Sequence, residues 1–251
     1  MTMDYRDYLY LLEFLLLLAI FIYLLRFIFF NYGGRIRKPA SWVAAVKEGR
    51  VPEALKRLER KYPDRIRFYN LWLQAERLRR EGIGGCMAEV GVYKGRTAEV
   101  MHHCAPERPL HLFDTFEGFP VSDLEDETGR ASGYTTRHFA GTSPDRVRAM
   151  LGNPPGLTIH KGYFPDTAAA LENESFAMVS LDADLARPTR AALEFFYPRL
   201  APGGVILVHD YNSDWPGLVT AVDNFCRGIP ENPLAVPDAD STVMIVKSKK
   251  H

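Results

Sequence analysis

The chain has 251 residues, with 31 acidic and 31 basic side chains and a formal net charge of zero. This length allows one α/β domain of ordinary size together with an additional segment. A balanced charge provides no broad basic field, so we expect no nucleic-acid partner. The three cysteines are too far apart for a zinc pattern and too few for a disulfide framework, which indicates free thiols in a reducing compartment.

The N-terminal segment is almost wholly apolar from Leu9 to Phe30, where only Glu13 and Arg26 are charged. A helix over these residues rises roughly 33 Å, enough to cross a hydrocarbon core of about 30 Å, and both charges can reach the headgroups. We therefore predict a single membrane-spanning helix. An interfacial helix and a soluble packing helix are the alternatives. A cleaved signal peptide is disfavoured, because no positive region precedes the run and no small-residue cleavage site follows it.

Basic residues follow the apolar run directly, whereas the residues before it carry no net positive charge. These basic residues are Arg35, Arg37 and Lys38. The positive-inside bias then places the body of the chain in the cytoplasm, as a single-pass membrane protein. We predict three parts: a membrane segment over residues 1–34, a helical connector over 35–83 and an α/β domain over 84–251.

Residues 41–81 have apolar side chains at helical spacing and Lys, Arg and Glu on the remaining faces. We interpret the charged side chains as solvated helix faces, with contact to anionic lipid headgroups as the alternative.

From Met87 onward, strand and helix patterns alternate, which predicts a doubly wound, mostly parallel sheet covered on both faces. The candidate strands are Ala88–Val92, Leu110–Asp114, Leu157–His160, Ala177–Asp182, Val205–His209 and Thr242–Val246. The candidate helices are Thr97–His103, Pro144–Leu151, Thr167–Leu171, Thr189–Leu200 and Gly217–Arg227. The segment Val121–His138 has neither period, and a loop this long typically forms a lid or a binding loop, or is disordered.

The run Ala88–Gly95 (AEVGVYKG) reads as a buried strand that ends in an E-x-G-x-x-x-G turn into a helix. Asp114 ends the next strand, nineteen residues after Gly95, where a carboxylate suits the ribose hydroxyls of a nucleotide-type cofactor. The glycine pattern departs from the dinucleotide fingerprint, which disfavours an NAD-linked dehydrogenase, and it is closer to loops that bind S-adenosylmethionine. Glu89 could meet the cofactor's ammonium group or hold the loop. The predicted cofactor contacts are Glu89, Gly91, Val92, Tyr93, Gly95, Asp114, Thr115, Gly162 and Tyr163.

Two further strands end in acidic residues, with His209 beside the last of them. In a parallel sheet, Asp182, Asp184, His209 and Asp210 then meet at the carboxyl edge, beside the cofactor. Such a set is costly to desolvate unless a cation or a proton-transfer role compensates. We predict a divalent metal held by Asp182 and Asp210, which lowers the pKa of a substrate hydroxyl, and Asp184 as the general base.

Six ordered segments across about Cys86 to Phe225 resemble the macrocin O-methyltransferase family, metal-dependent enzymes that methylate sugar hydroxyls. These segments are AEVGVYKG, LFDTFEGFP, KGYFPDT, LDADLARPT, YPRLAPGG and HDYN. The resemblance implies a class I methyltransferase fold, Rossmann-like, with a seven-stranded sheet whose last strand is antiparallel. It also implies cofactor contacts at Glu89, Gly91 and Asp114, metal ligands at Asp182 and Asp210, and a base at Asp184.

One departure from the family lies at His209, where members often carry an aspartate before the second metal-binding aspartate. Magnesium prefers oxygen ligands, whereas imidazole suits manganese and other transition ions. We expect magnesium as the ion, with manganese or another transition ion as the alternative because of His209. Either the metal ion differs from magnesium here, with His209 as a ligand, or His209 is an acid–base or supporting residue.

These observations predict a membrane-anchored, S-adenosylmethionine-dependent, metal-assisted O-methyltransferase that acts on a hydroxyl of a sugar, a lipid-linked sugar or a glycolipid. Methylation of a phenolic or catechol hydroxyl is a second interpretation, because the same metal site would activate either acceptor. A non-catalytic, membrane-tethered interaction module is a third. The sequence leaves the acceptor and a homodimeric state open.

Overall fold

The computed structural model describes residues 4–31 and 38–249, in two compact units, Met1–Pro39 and Ala40–His251. Arg35 and Arg37, on which the predicted orientation depends, lie outside the described residues. The first unit contains the helix α1, Tyr5–Asn31.

Helix α1 consists largely of Leu, Ile, Phe and Tyr, and its described side chains are exposed. By length and composition, Tyr5–Ile28 is the one stretch of helix in the described residues that is long and apolar enough to cross a membrane. The predicted apolar helix is therefore confirmed, and its insertion in a bilayer stays a prediction.

The second unit begins with three helices, as the periodicity of residues 41–81 predicts. They are α2 (Ala40–Lys47), α3 (Glu53–Lys61) and α4 (Arg65–Arg80). Helix α4 begins after Asp64, whose carboxylate accepts hydrogen bonds from the first free backbone amides of the helix. The buried side chains of these helices belong to the same hydrophobic core as one face of the sheet, including Met87 and Leu207. The division at residues 34 and 83 stays a prediction.

Seven strands form one sheet in the order β3-β2-β1-β4-β5-β7-β6. The strands are β1 (Cys86–Val90), β2 (Leu110–Asp114), β3 (Leu157–Lys161), β4 (Phe176–Leu181), β5 (Leu200–Val208), β6 (Leu234–Ala235) and β7 (Val243–Val246). The pairs among β1–β5 are parallel, and β7 is antiparallel to both of its neighbours. The doubly wound, mostly parallel sheet with an antiparallel last strand is confirmed.

The remaining helices are α5 (Arg96–Cys104), α6 (Val121–Leu124), α7 (Pro144–Met150), α8 (Ala186–Arg199) and α9 (Pro216–Cys226). One expectation was wrong in helix type. The helix expected at Thr167–Leu171 is a 3₁₀ turn, Asp166–Leu171. The segment Val121–His138 contains α6 and a second 3₁₀ turn, Gly129–Gly133, both too short to produce a visible period.

The sheet order changes direction at β1, because β2 lies on one side of it and β4 on the other. In doubly wound sheets this switch point is where ligands bind, beyond the carboxyl ends of the strands. Gly91 follows β1 there with a φ of 83°, and a Cβ on it would lie 1.9 Å from the carbonyl oxygen of Asp182. Only glycine allows the two strand ends to approach this closely.

Candidate active site

A cavity of about 600 Å³ opens at the carboxyl ends of β1, β2, β4 and β5. All but one of the residues that the sequence predicts for the site line it. The exception is Gly95, which caps α5 in the left-handed region and faces Val147 and Met150 of α7. A glycine is needed at position 95 because of its left-handed conformation at the start of α5 and its close packing against α7.

Asp114 organises the glycine-rich turn through its carboxylate. One oxygen accepts hydrogen bonds from the amides of Val92 and Tyr93, at 2.8 and 2.7 Å, and the other accepts from Phe116 at 2.7 Å. A carboxylate has about four acceptor positions, so one is left for a ligand hydroxyl. Asp114 thus shapes the turn, a role that the sequence analysis did not assign to it.

Glu89 lies near the carboxyl end of β1 and is buried, with only 1% of the residue exposed. Its Oε2 has no hydrogen-bond partner. Burial raises the pKa of Glu89 well above its usual range, and the nearby Asp182 carboxylate adds to this. A ligand cation at this wall of the cavity would supply the missing partner.

The other predicted cofactor residues use their polar groups within the protein. Thr115 donates to the carbonyl of Gly118 at 2.7 Å, and the Gly162 amide donates to the carbonyl of Asp114 at 3.0 Å. The Tyr163 hydroxyl donates to Asp123 at 3.0 Å, which fixes its ring against the cavity.

The predicted acidic cluster forms where β4 and β5 end. His209 Nδ1 lies 3.1 Å from Asp182 Oδ1 and 3.1 Å from Asp210 Oδ2. Asp184 and Asp210 have φ values of 60° and 61°, a conformation that is costly for residues other than glycine and is typical of functional sites. The structure therefore brings together all four side chains that sequence reasoning placed here.

The residues at this cluster fit a divalent cation. Asp182, His209 and Asp210 each offer a ligand atom, and these atoms lie within 4.8 Å of one another. Both ring nitrogens of His209 are buried without a hydrogen-bond partner, so the contacts to the two carboxylates are close but not directed as hydrogen bonds. The 3.1 Å separations between His209 Nδ1 and the two carboxylate oxygens would allow one cation to contact all three side chains.

The electrostatics of the cluster depend on its carboxylates. Burial lowers the pKa of His209, but contacts with Asp182 and Asp210 outweigh burial and raise it to about 10. Burial also raises the pKa of Asp184 well above its ordinary value, and the charges of Asp182 and Asp210 add to this. A buried carboxyl with a raised pKa is a suitable general base. The Tyr134 hydroxyl lies 3.4 Å from Asp184 Oδ1.

Arg67 is a site residue that sequence reasoning missed. Its guanidinium donates to Asp182 Oδ2 at 2.7 Å, and its side chain is only 14% exposed. Burial opposes ionisation of Asp182, yet the charges of Arg67 and His209 hold its pKa below the ordinary value. The interpretation of all cations in residues 41–81 as solvated was thus wrong for Arg67, and its place on a charged helix provided no signal.

Aromatic side chains of the segment after β2 border the cavity beside Asp184. The ring of Tyr134 stacks on Phe119 at 5.3 Å and lies 5.5 Å from Trp215. The Arg130 amide donates to the carbonyl of Asp214 at 2.8 Å, which holds this segment against the loop that follows β5. Part of the predicted lid or binding loop therefore lines the cavity.

The strand order and the cavity at the switch point define a class I methyltransferase fold. Residues 62–242 match the family model described as macrocin-O-methyltransferase (TylF). The chain belongs to this family.

Two curated relatives show the same likeness. The chain is 28% identical over 159 residues to the 8-demethyl-8-(2,3-dimethoxy-alpha-L-rhamnosyl)-tetracenomycin-C 4'-O-methyltransferase of Streptomyces olivaceus, covering 59% of this chain and 61% of that protein. It is 26% identical over 168 residues to the mycinamicin III 3''-O-methyltransferase of Micromonospora griseorubida, covering 58% and 62%. The chain thus spans about three fifths of the length of these relatives.

Solved structures share the fold. The O-methyltransferase NovP superposes with a TM-score of 0.63 at 22% identity, over 74% of this chain and 81% of that one. CalS11, a calicheamicin methyltransferase, superposes with a TM-score of 0.57 at 21% identity, over 84% of this chain and 94% of that one.

Proposed function

We propose that this chain is an S-adenosylmethionine-dependent O-methyltransferase that acts on a sugar hydroxyl. The observation that carries the proposal is one cavity that holds both the glycine-rich turn and the cluster of Asp182, Asp184, His209 and Asp210. The family supports the reaction class. The sugar acceptor is supported by the tetracenomycin relative, which is named for O-methylation of a rhamnosyl compound.

Bound S-adenosylmethionine supplies an electrophilic methyl group. The unpartnered, buried Oε2 of Glu89 suits the ammonium group of its methionine part, because an ammonium donor removes the cost of an unsatisfied polar atom. The acceptor position that remains on Asp114 suits a ribose hydroxyl. The N-terminus of α5 provides backbone amides and a positive dipole end, which favour the cofactor's carboxylate.

Asp182, His209 and Asp210 would hold the divalent metal, which when bound stabilises the ionised acceptor hydroxyl and so lowers its pKa. Asp184 removes the hydroxyl proton, since it lies beside this set and its raised pKa favours proton uptake. Arg67 holds one oxygen of Asp182, which leaves the other oxygen directed toward His209. We propose magnesium or manganese as the ion, with the His209 nitrogen favouring manganese or another transition ion.

The acceptor binds on the side of the cavity formed by Tyr134, Phe119 and Trp215, next to Asp184. An aromatic wall beside a polar base suits a sugar ring, which has an apolar face of C–H groups and hydroxyls at its edge.

A methyl-transfer assay with labelled S-adenosylmethionine tests the proposal. We expect label on rhamnosides or lipid-linked sugars, loss of transfer after chelation, and its return with Mg²⁺ or Mn²⁺. Asp184→Asn should lower kcat by about 10²–10⁴-fold, whereas Asp145→Asn, at an exposed acid on α7 outside the cavity, should leave it unchanged. Transfer to catechols alone would contradict the sugar acceptor, and full transfer after chelation would contradict the metal.

We infer that α1 anchors the chain in a membrane, with the second unit on the cytoplasmic side. The helix has 27 residues, which rise about 40 Å and exceed the hydrocarbon thickness. Tyr5, Tyr8 and Tyr10 stand near one end, where aromatic side chains favour the membrane interface.

Carbonate extraction tests the anchor. We expect the full chain to stay with the membranes at its full intact mass, and a chain beginning at Ala40 to be released. Release of the full chain would exclude a spanning helix, and a membrane-free product that lacks α1 would show a cleaved signal sequence.

A further inference from the structure

His209 lies between carboxylates on both sides of its ring. Nδ1 faces Asp182 and Asp210, each at 3.1 Å, while Nε2 is 3.7 Å from Asp240 Oδ2. The side chain is only 9% exposed, and neither nitrogen has a directed hydrogen bond. Two buried polar atoms without partners in one side chain are unusual and require a reason.

Asp240 is held in position by its backbone, through contacts on both sides of its loop. The amide of the preceding residue, Ala239, donates to Asp64 Oδ2 at 2.6 Å. Asn212 Nδ2 donates to the Asp240 carbonyl at 2.9 Å. The Asp240 carboxylate itself is about half exposed and lines the same cavity, so it can move the short distance to Nε2.

The choice of tautomer decides what His209 can do in this site. A neutral imidazole has one N–H and one lone pair. With the proton on Nε2, the lone pair on Nδ1 is directed between Asp182 and Asp210. With the proton on Nδ1, the N–H faces these carboxylates, and the ring has no lone pair for a cation between Nδ1, Asp182 and Asp210. Without a cation, the two carboxylates that face Nδ1 favour the second tautomer. Once a cation occupies the space between Nδ1, Asp182 and Asp210, that preference is removed, and the carboxylate next to Nε2 stabilises the first tautomer.

We propose that Asp240 is a positioning residue of the candidate metal centre, accepting the Nε2–H of His209 so that Nδ1 serves as a metal ligand. This inference rests on the metal site of the proposed function. His209 and Asp240 together would provide the centre with an oriented nitrogen ligand beside two carboxylates. Histidine metal ligands commonly have such an outer carboxylate.

Calorimetric titration of Mn²⁺ into the full chain in detergent micelles, after removal of metal by chelation, tests the role of Asp240. Asp240→Ala should weaken Mn²⁺ binding by about 10–100-fold, the usual loss for an outer carboxylate of a metal-binding histidine. Asp240→Glu should restore part of the affinity. Asp214→Asn, which removes a negative charge from an exposed residue after β5, should bind as the wild type does.

Measurements in a second background, the His209→Asp variant, distinguish a hydrogen bond from Asp240 to the imidazole from a direct attraction between the Asp240 charge and the metal ion. In His209→Asp there is no imidazole to orient, so adding Asp240→Ala should change Mn²⁺ affinity less than twofold. A loss of 10-fold or more in that background would overturn the proposal, because Asp240 would then act through its charge alone.

The visible spectrum of bound Co²⁺ provides a readout that a purely structural role would not change. We expect Asp240→Ala to shift the ligand-field bands of Co²⁺, since the orientation of the nitrogen ligand changes. Wild-type Mn²⁺ affinity and an unchanged Co²⁺ spectrum in Asp240→Ala would overturn the role of Asp240 while leaving the metal centre intact. A wild-type chain that binds neither ion would contradict the metal site itself.

Discussion

Replacement of Arg67 by leucine tests how the buried charges of the site are balanced. Arg67→Leu leaves Asp182 without its 2.7 Å partner, in a position where the aspartate side chain is 25% exposed. Breaking a fully buried ion pair costs about 3–5 kcal/mol, because one charge stays buried and unpaired. Partial solvent access and the remaining contact with His209 reduce this to about 2–3 kcal/mol.

The free energy of unfolding can be measured by urea titration of the full chain in detergent, followed by the fluorescence of the buried Trp42, Trp72 and Trp215. Arg65→Leu is the matched control, since Arg65 is exposed on the same helix, and it should cost less than about 0.5 kcal/mol. With Asp182→Asn as background, Arg67→Leu should lose most of its effect. Equal losses of unfolding free energy in Arg67→Leu and Arg65→Leu would refute the reasoning. So would a full, undiminished cost of Arg67→Leu in the Asp182→Asn background.

The same pair predicts a pH dependence. The pKa of Asp182 is lower in the folded chain than in the unfolded chain, because Arg67 and His209 outweigh the effect of burial. Its contribution to stability is therefore present above the pKa of an ordinary aspartate and is lost as the pH falls toward the lowered value. The stability difference between wild type and Arg67→Leu should decrease accordingly below about pH 4.

Two further predictions concern the turn and the base. Gly91→Ala should destabilise the fold by at least about 3 kcal/mol more than Gly152→Ala. Both glycines have a similar positive φ, but only a Cβ on Gly91 would meet a carbonyl group, that of Asp182. Equal melting temperatures of the two variants would contradict this. Tyr134→Phe should move the acidic limb of the pH profile of kcat/KM to higher pH. The hydrogen bond from Tyr134 lowers the pKa of Asp184, and Asp184 must be ionised to act as the base. A shift of this limb to lower pH would show that Asp184 is not the base.

Local patterns predict much of the second unit because the central strands β1, β2, β4 and β5 are almost wholly buried. The strand Leu110–Asp114 has the predicted bounds. Strand β5 begins at Leu200 instead of the predicted Val205, because its first residues include Pro and Gly, which are not typical of a strand, and pair irregularly with β4. Strand β6 has two exposed residues and no apolar pattern, so only the family resemblance indicated a seventh strand.

The acidic cluster was predictable because β4 and β5 are parallel neighbours, so residues after their ends must meet. The positions of Arg67 and Asp240 beside the cluster were not predictable, because each residue belongs to an element other than β4 and β5. Arg67, for example, lies 115 residues before Asp182 in the sequence. The hydrogen bonds from backbone amides to the Asp114 carboxylate could not be predicted either, since they depend on the left-handed backbone of Gly91 and Tyr93.

Calorimetric titration of S-adenosylhomocysteine, S-adenosylmethionine and NAD into the full chain tests the central claim most directly. The account predicts saturable binding of the two S-adenosyl ligands at one site per chain, retained in Asp184→Asn, with no binding of NAD. Binding of NAD alone, or of none of the three, would contradict a methyltransferase cofactor site at the switch point of this sheet.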